Sequence, residues 1–241
     1  MPRVSNLSHS LLFSAVLAAA TVLTVGCGSN GSSSSSGTKI RFVNASPDQL
    51  MVNVLIDGNS VATGLANLGG ATAYLGVGSG ARHIQIQDLV TSTNLVDVTP
   101  TLAGGSTTTF ILKDFITPTN TPLILTDDNS APTSGSFKIR AINLIPELNA
   151  GADAYVVPST TTTLNGVTPT FSSLPFPPTT ASYVTLTATT GTWEVLFTQA
   201  GSQGILAGGS AITFTAGQVE TELFVEDSSG NKTEVQLADV K

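Results

Sequence analysis

The segment Lys39-Ile40-Arg41-Phe42-Val43-Asn44-Ala45-Ser46-Pro47-Asp48 returns 99 residues later as Lys138-Ile139-Arg140-Ala141-Ile142-Asn143-Leu144-Ile145-Pro146-Glu147, with Lys, Ile, Arg, Asn, Pro and the acidic residue in register. This repeat constrains the fold more than any single residue, because both copies must build the same supersecondary unit. Tyr74-Leu75 and Gly80 are answered by Tyr183-Val184 and Gly191, and Gly104 through Asp114 align with Gly217 through Asp227 at an offset of 113. The growing offset places insertions in the second copy, mainly within Ser159 to Thr180. Loops absorb such length at little entropic cost.

Within each copy the runs are short, rich in Val, Ile, Thr, Phe and Tyr, and separated by Gly, Pro, Asn, Asp and Ser. They predict strands near Lys39–Asn44, Met51–Ile56, Ser60–Thr63, Thr72–Leu75, Arg82–Asp88, Leu95–Val98, Thr107–Lys113 and Pro122–Leu125 in the first copy. The second copy predicts Lys138–Asn143, Ala152–Val157, Tyr183–Ala188, Trp193–Gln199, Ala211–Phe214, Val219–Glu226 and Thr233–Leu237. His83-Ile84-Gln85-Ile86-Gln87 alternates strictly, isoleucines on one face and glutamines on the other. No segment after residue 37 combines helical periodicity with capping signals. The expectation is an all-β chain of two tandem immunoglobulin-like antiparallel β-sandwich domains. The first covers residues 38–128 and the second 137–241, joined by an Asn, Ser, Pro and Gly linker over 129–136.

Residues 1–26 read as a signal peptide: Arg3 gives the positive start, Leu11 to Val25 the apolar stretch, and Gly26 stands before Cys27. Cys27 is the single cysteine and opens the Ser/Gly tether 27–37. Its position is that of a lipidated cysteine in a lipoprotein precursor, so it is the candidate lipidation site, a membrane anchor. Thr24 stands where a lipobox usually has leucine, which leaves simple secretion as the alternative. Gly28 after the cysteine, where aspartate commonly retains lipoproteins at the inner membrane, favours an outer membrane if the organism has one.

The chain has 9 basic and 16 acidic residues, a formal charge of −7, and removal of Arg3 with the signal peptide makes it −8. Scattered Lys and Arg at this charge argue against nucleic acid as a partner. Beyond the signal peptide His83 is the single histidine, and no G-x-S-x-G elbow occurs. No catalytic residue, cofactor site or metal site is therefore assigned. Two alternatives remain open. Glu194, Glu220 and Glu222 could serve a carbohydrate-active enzyme, although Glu220 and Glu222 read more simply as a solvated sheet face or protected edge. Asp127-Asp128-Asn129 and Glu226-Asp227 could bind calcium in an adhesion module, although neither fits a calcium-loop spacing. Trp193 shares a face with Val195 and Phe197 and reads as core. The irregular apolar insertion supplies Phe171, Leu174 and Phe176 as a candidate contact surface, with packing across the two domains as the other explanation.

Ile40-Arg41-Phe42-Val43-Asn44-Ala45-Ser46-Pro47-Asp48 followed by Val52-Asn53-Val54-Leu55-Ile56-Asp57-Gly58 resembles the opening of domain of unknown function 4397, an R-x-x-N-A-S-P-D segment ahead of a V-D-V-Y-x-D-G strand and turn. Asn53 and Leu55 depart from the pattern; the second copy keeps Arg140, Asn143, Pro146 and Asp153 but has Leu144-Ile145 for Ala-Ser and Val157-Pro158 for Asp-Gly. The resemblance implies two tandem copies in an exported or surface-anchored protein, and no catalytic residues. Asn44, Ser46 and Asp48 are expected to bond local backbone groups, with Pro47 presetting the turn. The expected function is a noncatalytic cell-envelope lipoprotein, a binding or structural module for a glycan or envelope protein.

Overall fold

The computed structural model describes residues 37–117, 121–148 and 150–239. The expected signal peptide, Cys27 and all of the tether except Gly37 lie outside the described residues. The first half contains β1 (Lys39–Ala45), β2 (Met51–Ile56), β3 (Asn59–Ala66), β4 (Gly70–Ala71), β5 (Leu75–Gly76), β6 (Gly80–Ala81), β7 (Ile84–Asp88), β8 (Asn94–Val98), β9 (Thr101–Leu102), β10 (Thr107–Lys113) and β11 (Leu123–Thr126). The second contains β12 (Ser136–Asn143), β13 (Ala152–Pro158), β14 (Phe171–Leu174), β15 (Val184–Thr187), β16 (Trp193–Gln199), β17 (Ile205–Gly208), β18 (Val219–Glu226) and β19 (Lys232–Ala238). No helix occurs among the described residues, and the chain is all-β.

Each half is a β-sandwich. In the first, the sheet β11-β10-β1-β4, with β5 also on β1, faces the sheet β3-β2-β7-β8. Alternation along the strands sends Ile40, Phe42, Phe110 and Leu112 from one sheet against Val52, Val54, Ile84 and Ile86 from the other. In the second half β15-β12-β18-β19 faces β14-β13-β16-β17 in the same order. Phe137, Ile139 and Phe224 there meet Ala154, Val195 and Phe197. Phe197 stacks on Phe224 at 4.7 Å, and Phe137 stacks on Phe214 at 4.4 Å while meeting Trp193 edge-on at 5.8 Å. Each such pair adds roughly 0.5–1.5 kcal/mol beyond its burial.

Three expectations are corrected. The sheets are not wholly antiparallel, since β1 runs parallel to β10 and β12 parallel to β18. The first strand of each half occupies the interior of its sheet, and the chain completes the opposite sheet before it supplies the parallel partner, a connection that makes parallel pairing possible. That register sets Arg41 opposite Thr109 and Arg140 opposite Thr221, so equivalent residues of β10 and β18 are 112 apart, not 113. One step matters because it exchanges the two faces of the strand. Finally, the strand expected at Ala211–Phe214 is a single bridge from Ile212 to Trp193, and the ladder on β16 is made by β17 instead. Ile205-Leu206 in β17 is flanked by Gly204 and Gly208, which weakens a strand signal read from composition.

A third core joins the halves. The outer faces of the β1 and β12 sheets supply Val43, Ala45, Ile111, Leu123 and Leu125 on one side, and Ile142, Leu144, Leu223, Val225 and Leu237 on the other. Both central sheets are therefore covered on both faces, giving four stacked sheets within one compact unit. The contact is close at Gly69, whose φ is +88°; a Cβ there would lie 2.3 Å from Val235 Cγ1 of the other half. Both the positive φ and the proximity require glycine.

Candidate functional site at the seam

Two arginines and two aspartates are buried and paired where the central sheets meet: Arg41, Arg140, Asp127 and Asp239. Strand alternation puts each arginine on the face opposite its half's core, where it cannot reach water and must find a carboxylate. The carboxylate comes from the other half. Arg41 Nη2 donates to Asp239 Oδ1 at 2.6 Å, and Arg140 Nη2 donates to Asp127 Oδ1 at 2.5 Å. The remaining oxygen of each aspartate accepts from its own half. Asp127 Oδ2 receives Thr109 Oγ1 at 2.6 Å and Tyr74 Oη at 2.8 Å. Asp239 Oδ2 receives Thr221 Oγ1 at 2.5 Å and Tyr183 Oη at 2.6 Å.

The arginines bond their own half's threonine, Arg41 Nε to Thr109 at 3.2 Å and Arg140 Nε to Thr221 at 2.8 Å, and each guanidinium lies 4.7 Å from its tyrosine ring centre. Repeat-equivalent residues thus form two clamps that cross the seam in opposite directions. Burial first, and the neighbouring aspartates next, push both tyrosine phenols well above their ordinary value. These hydroxyls stay protonated donors at any physiological pH.

The clamps differ at their rims. Lys138 Nζ bonds Asp128 Oδ2 and the Asp128 carbonyl, both at 2.8 Å, and Ser130 Oγ at 3.1 Å. That contact, with the Ser130 bonds, draws the Asp128 carboxyl down to about 2. Lys39, the repeat equivalent, makes no ion pair among the described residues. It borders a cleft of about 400 Å³ between the β4–β5 segment and β19, lined also by Arg41, Thr72, Tyr74 and Gln236.

The structure separates the residues singled out in the sequence. His83 Nε2 lies 2.6 Å from Asp97 Oδ1 on the exposed rim of the outer sheet. Asp127 and Asp128 point apart, one into the Arg140 clamp and the other to Lys138. Asp227 caps its own turn through the amides of Ser229 and Asn231, while Glu226 pairs with Lys232 at 3.3 Å. Trp193 packs on the second core, as its alternation required. Phe171 lies in that core with Leu174 against it, on a strand equivalent to β3 in the first half, so this part of the insertion does have a counterpart. Phe176 leaves the sandwich, and its ring lies 5.5 Å from Lys113 Nζ of the first half.

Glu220 and Glu222 are not on a solvated face or protected edge. They are 4% and 0% exposed, on the same face of β18 as the core residue Phe224. Their side chains do share one face, as alternation requires, but β18 is an inner strand whose two faces are both covered. Burial raises Glu220 to about 7, and burial likewise raises Glu234 to about 7 and holds Glu222 well above the carboxylate range. These groups are protonated more readily folded than unfolded, so their contribution is complete below about pH 4.5 and is lost as pH rises through about 7. Asp128 acts oppositely: its stabilisation is present above its ordinary value of 3.8 and is lost as pH falls toward about 2. Urea denaturation is expected to show maximal stability between about pH 4 and 5, with a loss on the order of 2–4 kcal/mol by pH 8. A flat profile from pH 5 to 8 would contradict this assignment.

The repeated opening motif has a local structural role. Asn44 Oδ1 accepts the Ser46 amide at 3.2 Å while its Nδ2 donates to the carbonyls of Gln49 and Leu65. Ser46 Oγ bonds Asp48 Oδ1 at 2.7 Å and the Asp114 carbonyl at 2.8 Å. In the second half Asn143 Oδ1 accepts the Ile145 amide at 3.0 Å. Asn53 and Asp153 are equivalent too, accepting the amides of Gly64 and of Ser173 and Gly201. Residues 38–152 match the family described as Domain of unknown function (DUF4397). The DUF4397 match begins beside β1, runs through the whole first half and β12, and ends on the first residue of β13. No curated protein matches the chain. The DUF4397 segment holds Arg41, Tyr74, Thr109, Asp127 and Arg140; the partner aspartate Asp239 lies beyond it.

Proposed function

We propose that the chain is a noncatalytic cell-envelope module, exported by its N-terminal segment, anchored through lipidated Cys27 and presenting two fused sandwiches to a glycan or envelope protein. The crossed Arg–Asp clamps carry this reading. They commit the buried arginines and their aspartates to joining the halves, as suits a rigid body held off a membrane by a tether. The buried glutamates of β18 are enclosed, which gives a polymeric substrate no path to them. We read the second half as a diverged second DUF4397 copy, supported by the repeated strand order and the repeated Arg, Thr, Tyr and Asp set. Gly28 favours sorting to an outer membrane if the organism has one, with secretion as the alternative set by Thr24.

Metabolic labelling with radioactive palmitate tests the anchor. Label is expected on the wild-type protein and absent from Cys27→Ala; label retained in the variant would overturn the anchor, and its absence from both would favour secretion. Sedimentation of the unlipidated chain with envelope fractions then reads the binding role separately.

A further inference from the structure

Beyond the seam clamps, the second half holds a cluster of acids that neither the fold nor the proposed function uses. Glu222 on β18 is fully buried, and among the described residues neither of its carboxyl oxygens has a hydrogen-bond donor; Glu234 Oε1 on β19 is likewise without one. Glu222 stands opposite Gln236 and Glu234 opposite Phe224, so the two are diagonal neighbours on one face of the β18–β19 ladder, and their carboxyls share a side-chain hydrogen bond. Two ionised carboxylates cannot bond one another, so the contact requires a proton between them.

Among the described residues no cation replaces that proton. Glu220 on β18 and Asp239 after β19 add negative charge toward Glu222, and Glu194 on β16 does so toward Glu234. Arg41 reaches Glu220 from the first half but is bonded to Asp239. Lys138 and Arg140 on β12 point to the opposite face, and β17, beside β19, carries only Ile205, Leu206, Ala207 and Gly208. Lys232 is held at the far end of the ladder by Glu226, with Glu147 nearby.

We infer that Glu222 and Glu234 form a proton-operated latch: the shared proton holds β19 on β18, and its loss loosens β19 and the seam contact that β19 carries. The strand is suited to move, because it is the edge of its sheet and ladders only with β18. Two adjacent negative charges, Glu222 fully buried and Glu234 half-buried, repel strongly, and displacing an edge strand into water is the shortest relief. The consequence reaches the other half. β19 places Val235 and Leu237 in the shared core and leads into Asp239, the carboxylate that holds Arg41. Alkaline conditions thus act on the junction between the sandwiches through a group that does not touch the first half.

Hydrogen–deuterium exchange on the full chain between pH 6 and 9, corrected for intrinsic exchange, tests the latch. In wild type, protection of the β19 amides is expected to fall by more than about tenfold over this range while β7 stays constant. In Glu222→Gln, whose amide can donate to Glu234 at any pH, the fall should shrink to within about twofold. Equal pH dependence in wild type and variant, or none in wild type, would overturn the latch. Difference infrared spectroscopy keeps the test independent of the variant's folding. A protonated-carboxyl band is expected at pH 7, lost on raising the pH and reduced in Glu234→Gln; its absence from wild type at pH 7 would also overturn the latch.

Discussion

Arg140→Ala is expected to cost about 3–5 kcal/mol of stability, the range for removing one partner of a buried ion pair. Asp127 would keep its bonds from Thr109 and Tyr74 but lose the guanidinium bonded directly to it inside a buried seam. The cost comes mostly from the abandoned charge. Replacing both residues, Arg140→Met with Asp127→Leu, is accordingly expected to recover much of the loss, because desolvating two charges offsets most of their attraction. Urea unfolding read by Trp193 fluorescence provides the measurement. A single variant within about 1 kcal/mol of wild type would show that the seam is wet and the clamp weak.

Phe110→Ala is expected to lower stability by about 3–5 kcal/mol and, more informatively, to shift one transition rather than split it. Phe110 is fully buried in the first core, 5.4 Å from Phe42, and touches nothing that Trp193 reports directly. Trp193 lies in the second half, so its fluorescence follows the first-half lesion only if the shared core and clamps make the halves unfold together. Coincidence of the fluorescence and far-ultraviolet circular dichroism midpoints is the expected outcome. A biphasic curve with the Trp193 transition left at its wild-type midpoint would make the halves independent.

These expectations could not have been drawn from the strand pattern, although much of the architecture could. Met51–Ile56, Thr107–Lys113, Trp193–Gln199 and Val219–Glu226 were legible to the residue because they are apolar, β-branched or aromatic runs between clear turn signals. Shorter strands were not: Gly80–Ala81 and Thr101–Leu102 carry no periodicity, and Phe171–Leu174 pairs with β13 across a register shift. The clamps had a partial signal. An arginine repeated inside an apolar run at Arg41 and Arg140 asks for a buried partner, yet nothing local names Asp239 or Asp127. Each pairing depends on how two sheets stack, and Arg41 and Asp239 are 198 residues apart. The burial of Glu220 and Glu222 is hidden from the sequence for the same reason. Alternation identifies a face, but only the tertiary arrangement decides whether water reaches it.

The parallel pairs also govern the order in which the chain can finish itself. β1 waits for a partner 68 residues downstream, β12 for one 81 residues downstream, and Arg41 for the last residue described. Contacts of such separation fold slowly, since the intervening chain must be confined before they stabilise anything. A polypeptide fed N-terminus first through a narrow pore would hold the first sandwich unclosed until Lys113 had emerged, and the seam unlocked until Asp239 had followed. Its completed form is thus kept for the far side of any such passage.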